Sequence, residues 1–195
     1  MLHAALPTFR FPEGTCIAQA QPLTHGRVTL DSPAIEVMTD LAEVRAATTT
    51  PQMALAQAES KMIHQGVRML FVVSEMPGVD GIVAAADLRG HKPMQLVHQR
   101  QVRYEDLTVD DVMTPLSDLD AIDFMTVRRA SVGQVVATLA QFGHPHLLVV
   151  EAASPESQAR IRGIISQTQV ERQLGRSLAV TEVASTFAEI EKALA

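Results

Sequence analysis

Apolar residues follow a repeated order along this chain: a helical stripe, a glycine, a short apolar run, a turn and a second apolar run. In the first half, four apolar residues fall at helical spacing, namely Leu55, Ala58, Met62 and Ile63. Gly66 ends this predicted helix, and residues 69–73 are apolar throughout, which is typical of a buried strand. A turn at residues 76–80 and the run that starts at Gly81 complete a predicted hairpin.

The second half repeats this order. Its helical stripe consists of Val132, Val135, Val136, Leu139 and Phe142. Gly143 corresponds to Gly66, residues 147–150 form the apolar run, and Gly163 corresponds to Gly81. Extra residues fall mainly in the second hairpin loop, as expected for a duplicated supersecondary unit with insertions confined to loops. The sequence therefore predicts an internal duplication.

The duplication predicts an α+β fold, because neither βαββα unit can cover both faces of its three-stranded sheet alone. We expect the two units to pack through their sheets with pseudo-two-fold symmetry. The predicted organisation has four parts: an N-terminal arm (1–30), a first repeat with a partly helical connector (31–100), a second repeat (101–177) and a C-terminal amphipathic helix (178–195). Ser32-Pro33 and Thr50-Pro51 are predicted helix starts.

Composition narrows the function classes. The chain of 195 residues is 47% hydrophobic and 19% charged, which is ordinary for a soluble globular protein. A net charge of −6, no Trp and a single Tyr argue against binding to nucleic acid. Cys16 is the only cysteine, so no intramolecular disulfide and no cysteine-based zinc site can form. We expect a cytoplasmic protein without a signal peptide or membrane span.

Three sequence features carry a family resemblance. They are Val112-Met113-Thr114-Pro115, the segment 66–73 together with the similar segment that begins at Gly143, and the two Gly-Ile corners at Gly81 and Gly163. Over about residues 33–175 the chain resembles a tandem pair of CBS domains, the regulatory modules named after cystathionine β-synthase. The resemblance implies two βαββα units, frequent dimerisation into a disc, and adenosine nucleotides bound in clefts between the repeats.

The resemblance implies a ribose-binding hydroxyl and carboxylate at each corner, and each corner keeps half of that pair. Asp87 matches the carboxylate, whereas Ala84 stands where the hydroxyl is expected. Ser166 matches the hydroxyl, whereas Gln169 stands where the carboxylate is expected. Charge-assisted hydrogen bonds are worth roughly 1.5–3 kcal/mol each and neutral ones about 0.5–1.5, so we expect the Asp87 cleft to be the stronger.

Further ligand contacts are expected from the resemblance. Arg68 would stand at the cleft mouth and meet a phosphate, and Thr49, in the run 48–50, would approach the base. Arg128 and Arg129 are weaker candidates for phosphate contact. Each candidate also has a purely structural interpretation: Asp87 and Ser166 as helix caps, Arg68 as a solvated arginine, and the threonines as a capping run.

Metal and catalytic chemistry have little support in the sequence. His144-Pro145-His146 supplies two imidazoles without a third ligand nearby, so we expect no metal site. No phosphate-binding glycine-rich loop, Gly-x-Ser-x-Gly or His-Glu-x-x-His motif occurs. We therefore expect no catalytic residues, and a small nucleotide-consuming enzyme is the least favoured class.

The predicted function is that of a stand-alone, non-catalytic regulatory CBS pair. Its ligand would be AMP, ADP, ATP or S-adenosylmethionine, and it would form a homodimer that acts on an unknown protein partner. The alternative is a degenerate pair that has lost nucleotide binding and serves as an interaction or dimerisation module. In that case the arm and the terminal helix would make the contacts.

Overall fold

A computed structural model describes residues 26–142, 145–153 and 158–178 of the chain. Most of the predicted arm, including Cys16, and nearly all of the predicted terminal helix lie outside the described residues. Within the described part, both halves contain a strand, a long helix, a hairpin of two strands and a helix in the same order.

The first half has three helices and four strands. They are β1 (Met38–Asp40), β2 (Thr48–Thr49), α1 (Leu55–Gln65), β3 (Met69–Val72), β4 (Gly81–Ala84), α2 (Ala85–Arg89) and α3 (His91–Arg100). A 3₁₀ turn, Ala34–Val37, precedes β1, and another, Tyr104–Asp106, follows α3. Gly66 has a left-handed backbone with φ of 65°, which confirms its predicted role in ending α1.

The described residues of the second half form four helices and four strands. They are α4 (Val109–Val112), β5 (Thr114–Pro115), β6 (Ala121–Asp123), α5 (Phe124–Arg129), α6 (Val132–Phe142), β7 (His146–Glu151), β8 (Arg160–Ser166) and α7 (Gln167–Leu174). A 3₁₀ turn, Leu116–Asp118, joins β5 to β6. Both predicted hairpins are confirmed, because β3 pairs antiparallel with β4 and β7 with β8.

The strands form two sheets of four strands, in the orders β2-β3-β4-β5 and β6-β7-β8-β1. Strands β2, β3, β4 and β5 of one sheet correspond to β6, β7, β8 and β1 of the other, so both sheets have the same strand order. This confirms the predicted duplication and the α+β class. The sequence predicts three strands for each sheet, whereas the structure has four. The additional strand comes from the other half: β1 pairs with β8, and β5 pairs with β4.

Buried side chains form three clusters, one under the helices of each repeat and one between the sheets. Strand β3 contributes to two of them because alternate side chains point to opposite faces. Leu70 and Val72 pack under the helices of the first repeat, whereas Met69 and Phe71 lie in the cluster between the sheets. In the second repeat, Leu148 belongs to that shared cluster. The predicted packing of the two units through their sheets is thereby confirmed.

The helical stripes are narrower than predicted. Leu55, Ala58 and Met62 of α1 are buried, but Ile63 is 69% exposed. Eight residues at 3.6 per turn place Ile63 about 80° around the helix from Leu55, outside the buried stripe. Phe142 is the last residue of α6 and is 43% exposed.

One of the two predicted helix starts is misplaced. Helix α1 begins at Leu55 rather than next to Pro51, because the carbonyls of Pro51 and Met53 accept hydrogen bonds from the N–H groups of Asp110 and Val109. These bonds hold residues 51–53 in a turn against α4. At the other start, a single 3₁₀ turn, Ala34–Val37, directly follows Pro33, within one residue of the predicted start.

An ion pair joins β1 to the sheet of the second repeat. Arg162 Nε donates to Asp40 Oδ1 at 2.9 Å, and a terminal nitrogen donates to Oδ2 at 2.6 Å. The Arg162 guanidinium also lies 4.9 Å from the centre of the Phe124 ring. Burial raises the pKa of Asp40, but the hydrogen bonds and charge of Arg162, with the Ala42 N–H, leave this pKa below its ordinary value. The carboxylate is thus held ionised beside its partner.

No helix in the described ranges is both long and apolar enough to span a bilayer.

Candidate functional site

One cavity lies where three segments from both repeats meet. These segments are the loop after β1 (41–47), the turn between α1 and β3 (66–68) and the corner between β8 and α7 (166–172). The cavity has a volume of about 250 Å³. Because β1 pairs with β8, the first segment is brought directly over the second repeat. We refer to this cavity as the seam cavity.

Local backbone geometry places two predicted ligand residues in the seam cavity. The left-handed Gly66 turns the chain sharply after α1, so that Arg68 precedes β3 at the cavity wall. Ser166 is the last residue of β8 and the N-cap of α7, with an extended backbone. Its side chain makes no capping hydrogen bond, so this hydroxyl is not committed to the helix.

The seam cavity has an apolar wall. Eight nonpolar side chains line it: Leu41, Val44, Ala46, Ala47, Val67, Met69, Phe71 and Ile164. Phe71 and Met69 are 3% and 6% exposed and belong to the core between the sheets, so this wall is part of the rigid body of the protein. It provides a surface on which a planar, weakly polar group can be buried.

The polar wall of the same cavity is cationic. Arg45, Arg68 and Arg172 line it together with His146, and among the described residues that line it there is no Asp or Glu. Within the described ranges, none of these three arginines has a carboxylate partner. Five other arginines do, namely Arg89, Arg100, Arg103, Arg160 and Arg162. In a chain of net charge −6, this cavity is therefore a local site of positive potential.

Thr49 and Ala84, predicted as ligand contacts, do not line the seam cavity. Thr49 is 2% exposed and its hydroxyl donates to Met53 Sδ at 3.1 Å. Ala84 is 7% exposed and lies in β4 opposite Met69. Their predicted roles in ligand binding stay predictions.

Asp87 also lies outside the residues that line the seam cavity. Its Oδ2 accepts a hydrogen bond from the Ala84 N–H at 2.7 Å, which makes it the third residue of a capping arrangement at the start of α2. This hydrogen bond supports the interpretation of Asp87 as a helix-capping residue. A role for Asp87 toward a ligand stays a prediction.

Sequence reasoning missed Arg45 and Arg172 as site residues. Arg45 lies in an irregular loop, where no periodicity shows which way a side chain points. Arg172 follows Gln169 by three residues on α7, and this spacing places both on one helix face. That spacing was the only indication in the sequence, because the strand pairing that brings the segments together is long-range.

Neither His146 nor any other described group indicates a metal centre. His146 pairs with Ser166 across the hairpin and lines the seam cavity. Within residues 26–142, 145–153 and 158–178, no group of three or more His, Cys, Asp or Glu side chains lies together. His144 is outside the described residues.

A second, more open cavity of about 290 Å³ lies beside α5. Asp123, Met125, Thr126, Arg129, Ala130 and Gln134 line it. Asp123 accepts a hydrogen bond from the Thr126 N–H at 3.0 Å and thus caps α5. This cavity combines a carboxylate with Arg129, so it lacks the single sign of charge that the seam cavity has.

Comparisons with known proteins bear on the fold. No protein-family model matches the chain, and no curated protein does. An uncharacterized conserved protein from Pyrococcus horikoshii superposes with a TM-score of 0.53 and 18% identity, over 77% of this chain and 98% of that one. A CBS-domain containing protein from Agrobacterium tumefaciens gives a TM-score of 0.51 and 18% identity, over 68% and 88%. A structure of CBSX2 in complex with AMP gives 0.48 and 18%, over 72% and 94%.

The chain has the fold of a tandem pair of CBS domains. The duplicated strand order, the sheets that face each other across a shared core and the similarity to the Agrobacterium structure agree on this point. The resemblance inferred from the sequence is confirmed at the level of the fold.

Proposed function

We propose that this protein is a regulatory CBS pair that binds an adenosine-type nucleotide in the seam cavity and catalyses no reaction itself. The observation that carries the proposal is the composition of this cavity, in which an apolar wall and a cationic wall face the same space. A nucleotide has the matching parts, since its base is planar and its phosphates are anionic.

Ser166 and Gln169 are the proposed ribose contacts. Both line the cavity, and both are partly exposed to it. A hydroxyl and an amide can each donate and accept, so they can pair with the two ribose hydroxyls. Because neither is charged, we expect weaker ribose binding than a carboxylate at residue 169 would give.

Binding in the seam cavity would be sensed by both repeats. The ligand would contact the loop 41–47 and the turn 66–68 of the first repeat as well as the corner 166–172 of the second. A ligand that favours one arrangement of these segments shifts the protein toward that arrangement. We propose that a protein partner, which is not identified, reads this shift.

Titration calorimetry and thermal shift with AMP, ADP, ATP and S-adenosylmethionine test the proposal. Val44 is 39% exposed and lines the cavity, so Val44→Trp should fill it without disturbing the core. We expect this variant to lose binding while keeping the thermal midpoint of the free protein. No heat and no shift with any of the four ligands would remove nucleotide binding from the proposal.

Leu116→Trp is the matched control. Leu116 is as exposed as Val44, at 39%, and it does not line the seam cavity. Its N–H bonds to Asp80 O as the Leu41 N–H bonds to Arg162 O, so Leu116 is the counterpart of Leu41 on the other sheet. We expect nucleotide binding to survive this change. Loss of binding in Leu116→Trp but not in Val44→Trp would move the ligand out of the seam cavity to the surface around Leu116.

The alternative function, an interaction or dimerisation module, is favoured by two exposed apolar residues. Ile63 and Phe142 lie in the last turns of α1 and α6, the corresponding helices of the two repeats, and are 69% and 43% exposed. If these helix ends bind a second copy of the chain, Ile63→Glu and Phe142→Glu should convert a homodimer to a monomer in light scattering. A monomeric wild-type protein would contradict dimerisation through these helix ends.

A further inference from the structure

We infer that the seam cavity selects its ligand by phosphate charge and takes a nucleoside diphosphate or triphosphate in preference to a nucleoside, a monophosphate or a cationic sulfonium nucleoside. This inference rests on the proposed function and makes it specific. It is carried by the three arginines of the cavity, which come from three different segments of the chain, and by the absence of any carboxylate among those lining residues that belong to the described part of the chain.

The charge of the cavity is fixed at neutral pH. A guanidinium stays protonated in proteins, so Arg45, Arg68 and Arg172 supply three positive charges whatever the state of His146. A neutral nucleoside leaves all of them without a counter-charge. A phosphate group carries a charge of about −1.5 to −2, and each additional phosphate brings further anionic oxygens within reach of a guanidinium.

Two carboxylates near Arg172 and Arg45 in the sequence are engaged elsewhere. Glu171, next to Arg172, accepts hydrogen bonds from the Gln167 amide at 3.1 Å and from the Leu178 N–H at 2.9 Å. Asp40, which precedes the loop with Arg45, is held by Arg162. An incoming anion therefore breaks no ion pair of the described residues at these arginines.

The positions of the three arginines also allow one anionic ligand to contact both repeats. Arg45 and Arg68 belong to the first repeat, whereas Arg172 belongs to α7 of the second. A short anion can satisfy one or two guanidinium groups, but a polyphosphate chain can reach groups on both repeats. The ligand would then stabilise one packing of the repeats in proportion to its phosphate content, so the protein would respond to nucleotide phosphorylation rather than to adenosine itself.

The test is titration calorimetry of the full chain in metal-free buffer with adenosine, AMP, ADP, ATP and S-adenosylmethionine, at low and at physiological salt. We expect ATP to bind at least tenfold more tightly than AMP and at least a hundredfold more tightly than adenosine or S-adenosylmethionine. Raising the salt should weaken ATP binding and leave adenosine binding nearly unchanged. Equal affinities for adenosine and ATP would overturn charge selection and leave the proposed nucleotide function standing.

Single substitutions locate the selection. Arg45→Gln, Arg68→Gln and Arg172→Gln should each weaken ATP binding about tenfold and change adenosine binding less than twofold. Arg27→Gln is the matched control, because Arg27 is an exposed arginine without a carboxylate partner among the described residues and does not line the cavity. An equal loss of ATP affinity in Arg27→Gln would show a diffuse effect of net charge and would overturn the inference.

Binding of inorganic tripolyphosphate distinguishes nucleotide binding from selection by phosphate charge. We expect it to compete with ATP but to bind at least tenfold more weakly, because it makes no use of the apolar wall. Binding as tight as that of ATP would uphold charge selection and contradict the nucleotide function. The absence of binding by all nucleotides and by tripolyphosphate would overturn both.

Discussion

At the scale of single residues, Gly81 and Gly163 explain why the two corners of the duplication look alike. A Cβ at Gly81 would lie 2.3 Å from the Thr114 carbonyl oxygen, and a Cβ at Gly163 would lie 2.5 Å from Met38 Sδ. Thr114 and Met38 belong to β5 and β1, the strands that each half adds to the other's sheet. The glycines therefore allow a close strand crossing, and their place beside a possible ligand corner follows from that crossing.

The two glycines should differ in their tolerance of a side chain. The obstacle at Gly81 is backbone, which cannot move without breaking the β4–β5 pairing, whereas the obstacle at Gly163 is a methionine side chain. We expect Gly81→Ala to lower the free energy of unfolding by about 3 kcal/mol and Gly163→Ala by about 1 kcal/mol, measured in urea. Combining Gly163→Ala with Met38→Ala should relieve the local clash, seen as a double-mutant coupling. Equal losses for both single variants would contradict this explanation.

Asp87 presents a second question at the residue scale, because one carboxylate could serve a helix or a ligand. Its hydrogen bond from the Ala84 N–H predicts that Asp87→Ala lowers the free energy of unfolding of the ligand-free protein by about 0.5–2 kcal/mol. Asp87→Asn keeps an acceptor oxygen and should lose less. Chemical denaturation without nucleotide measures both variants, and an unchanged stability of Asp87→Ala would return weight to the ligand role.

At the scale of elements, the long repeating units could be predicted and the short connecting strands could not. Helices α1 and α6 have 11 residues each, enough for the buried stripe to show its period. Strand β5 has two residues and β1 has three, so neither shows an alternation. Their partners are long-range: Asp40 and Arg162, which join β1 to β8, are 122 positions apart. The exchange of strands, and with it the position of Arg45 in the seam cavity, depends on pairings that no local pattern records.

The attachment of β1 should depend on pH through Asp40. Its pKa is lowered in the folded protein, so the unfolded chain takes up the proton more readily than the folded one. The pair thus stabilises the fold fully above the ordinary pKa of 3.8, and this stabilisation is lost as the pH falls through the lower folded value. Asp40→Asn should lower the free energy of unfolding by roughly 1–2 kcal/mol at pH 7, between the values for exposed and buried pairs.

The comparison of Asp40→Asn with the wild type isolates this pair from Asp106 and Asp111, whose pKa values are also lowered. We expect the thermal midpoints of the two proteins to differ at pH 7 and to draw together as the pH falls below 3.8. A difference that stays constant over this range would mean that Asp40 acts through packing alone.

At the scale of the whole molecule, the two repeats share both their sheets and a core. Each sheet includes one strand from the other half, and the central cluster joins Met69, Phe71 and Ile82 to Leu148. Neither repeat can therefore unfold without exposing apolar surface of the other. The seam cavity lies at this contact between the repeats, which must be formed for the protein to be folded.

This shared construction predicts a single cooperative unfolding transition. Tyr104 is the only tyrosine of a chain without tryptophan; it packs against the core of the first repeat, and its hydroxyl donates to Leu88 O at 2.9 Å. Its fluorescence therefore reports on the first repeat, whereas far-ultraviolet circular dichroism reports on all helices. We expect both signals to change at the same denaturant concentration.

A substitution in the second repeat makes the prediction sharper. Leu139, a residue of α6, is fully buried in the core of that repeat, so Leu139→Ala should lower the free energy of unfolding by about 2–5 kcal/mol. Because the repeats unfold together, the Tyr104 transition should move by the same amount as the circular dichroism transition, although Leu139 and Tyr104 belong to different clusters. A Tyr104 transition that keeps its wild-type midpoint while the dichroism signal splits would mean that the repeats unfold separately. In that case a ligand in the seam cavity would hold together two independent domains rather than adjust the packing of one.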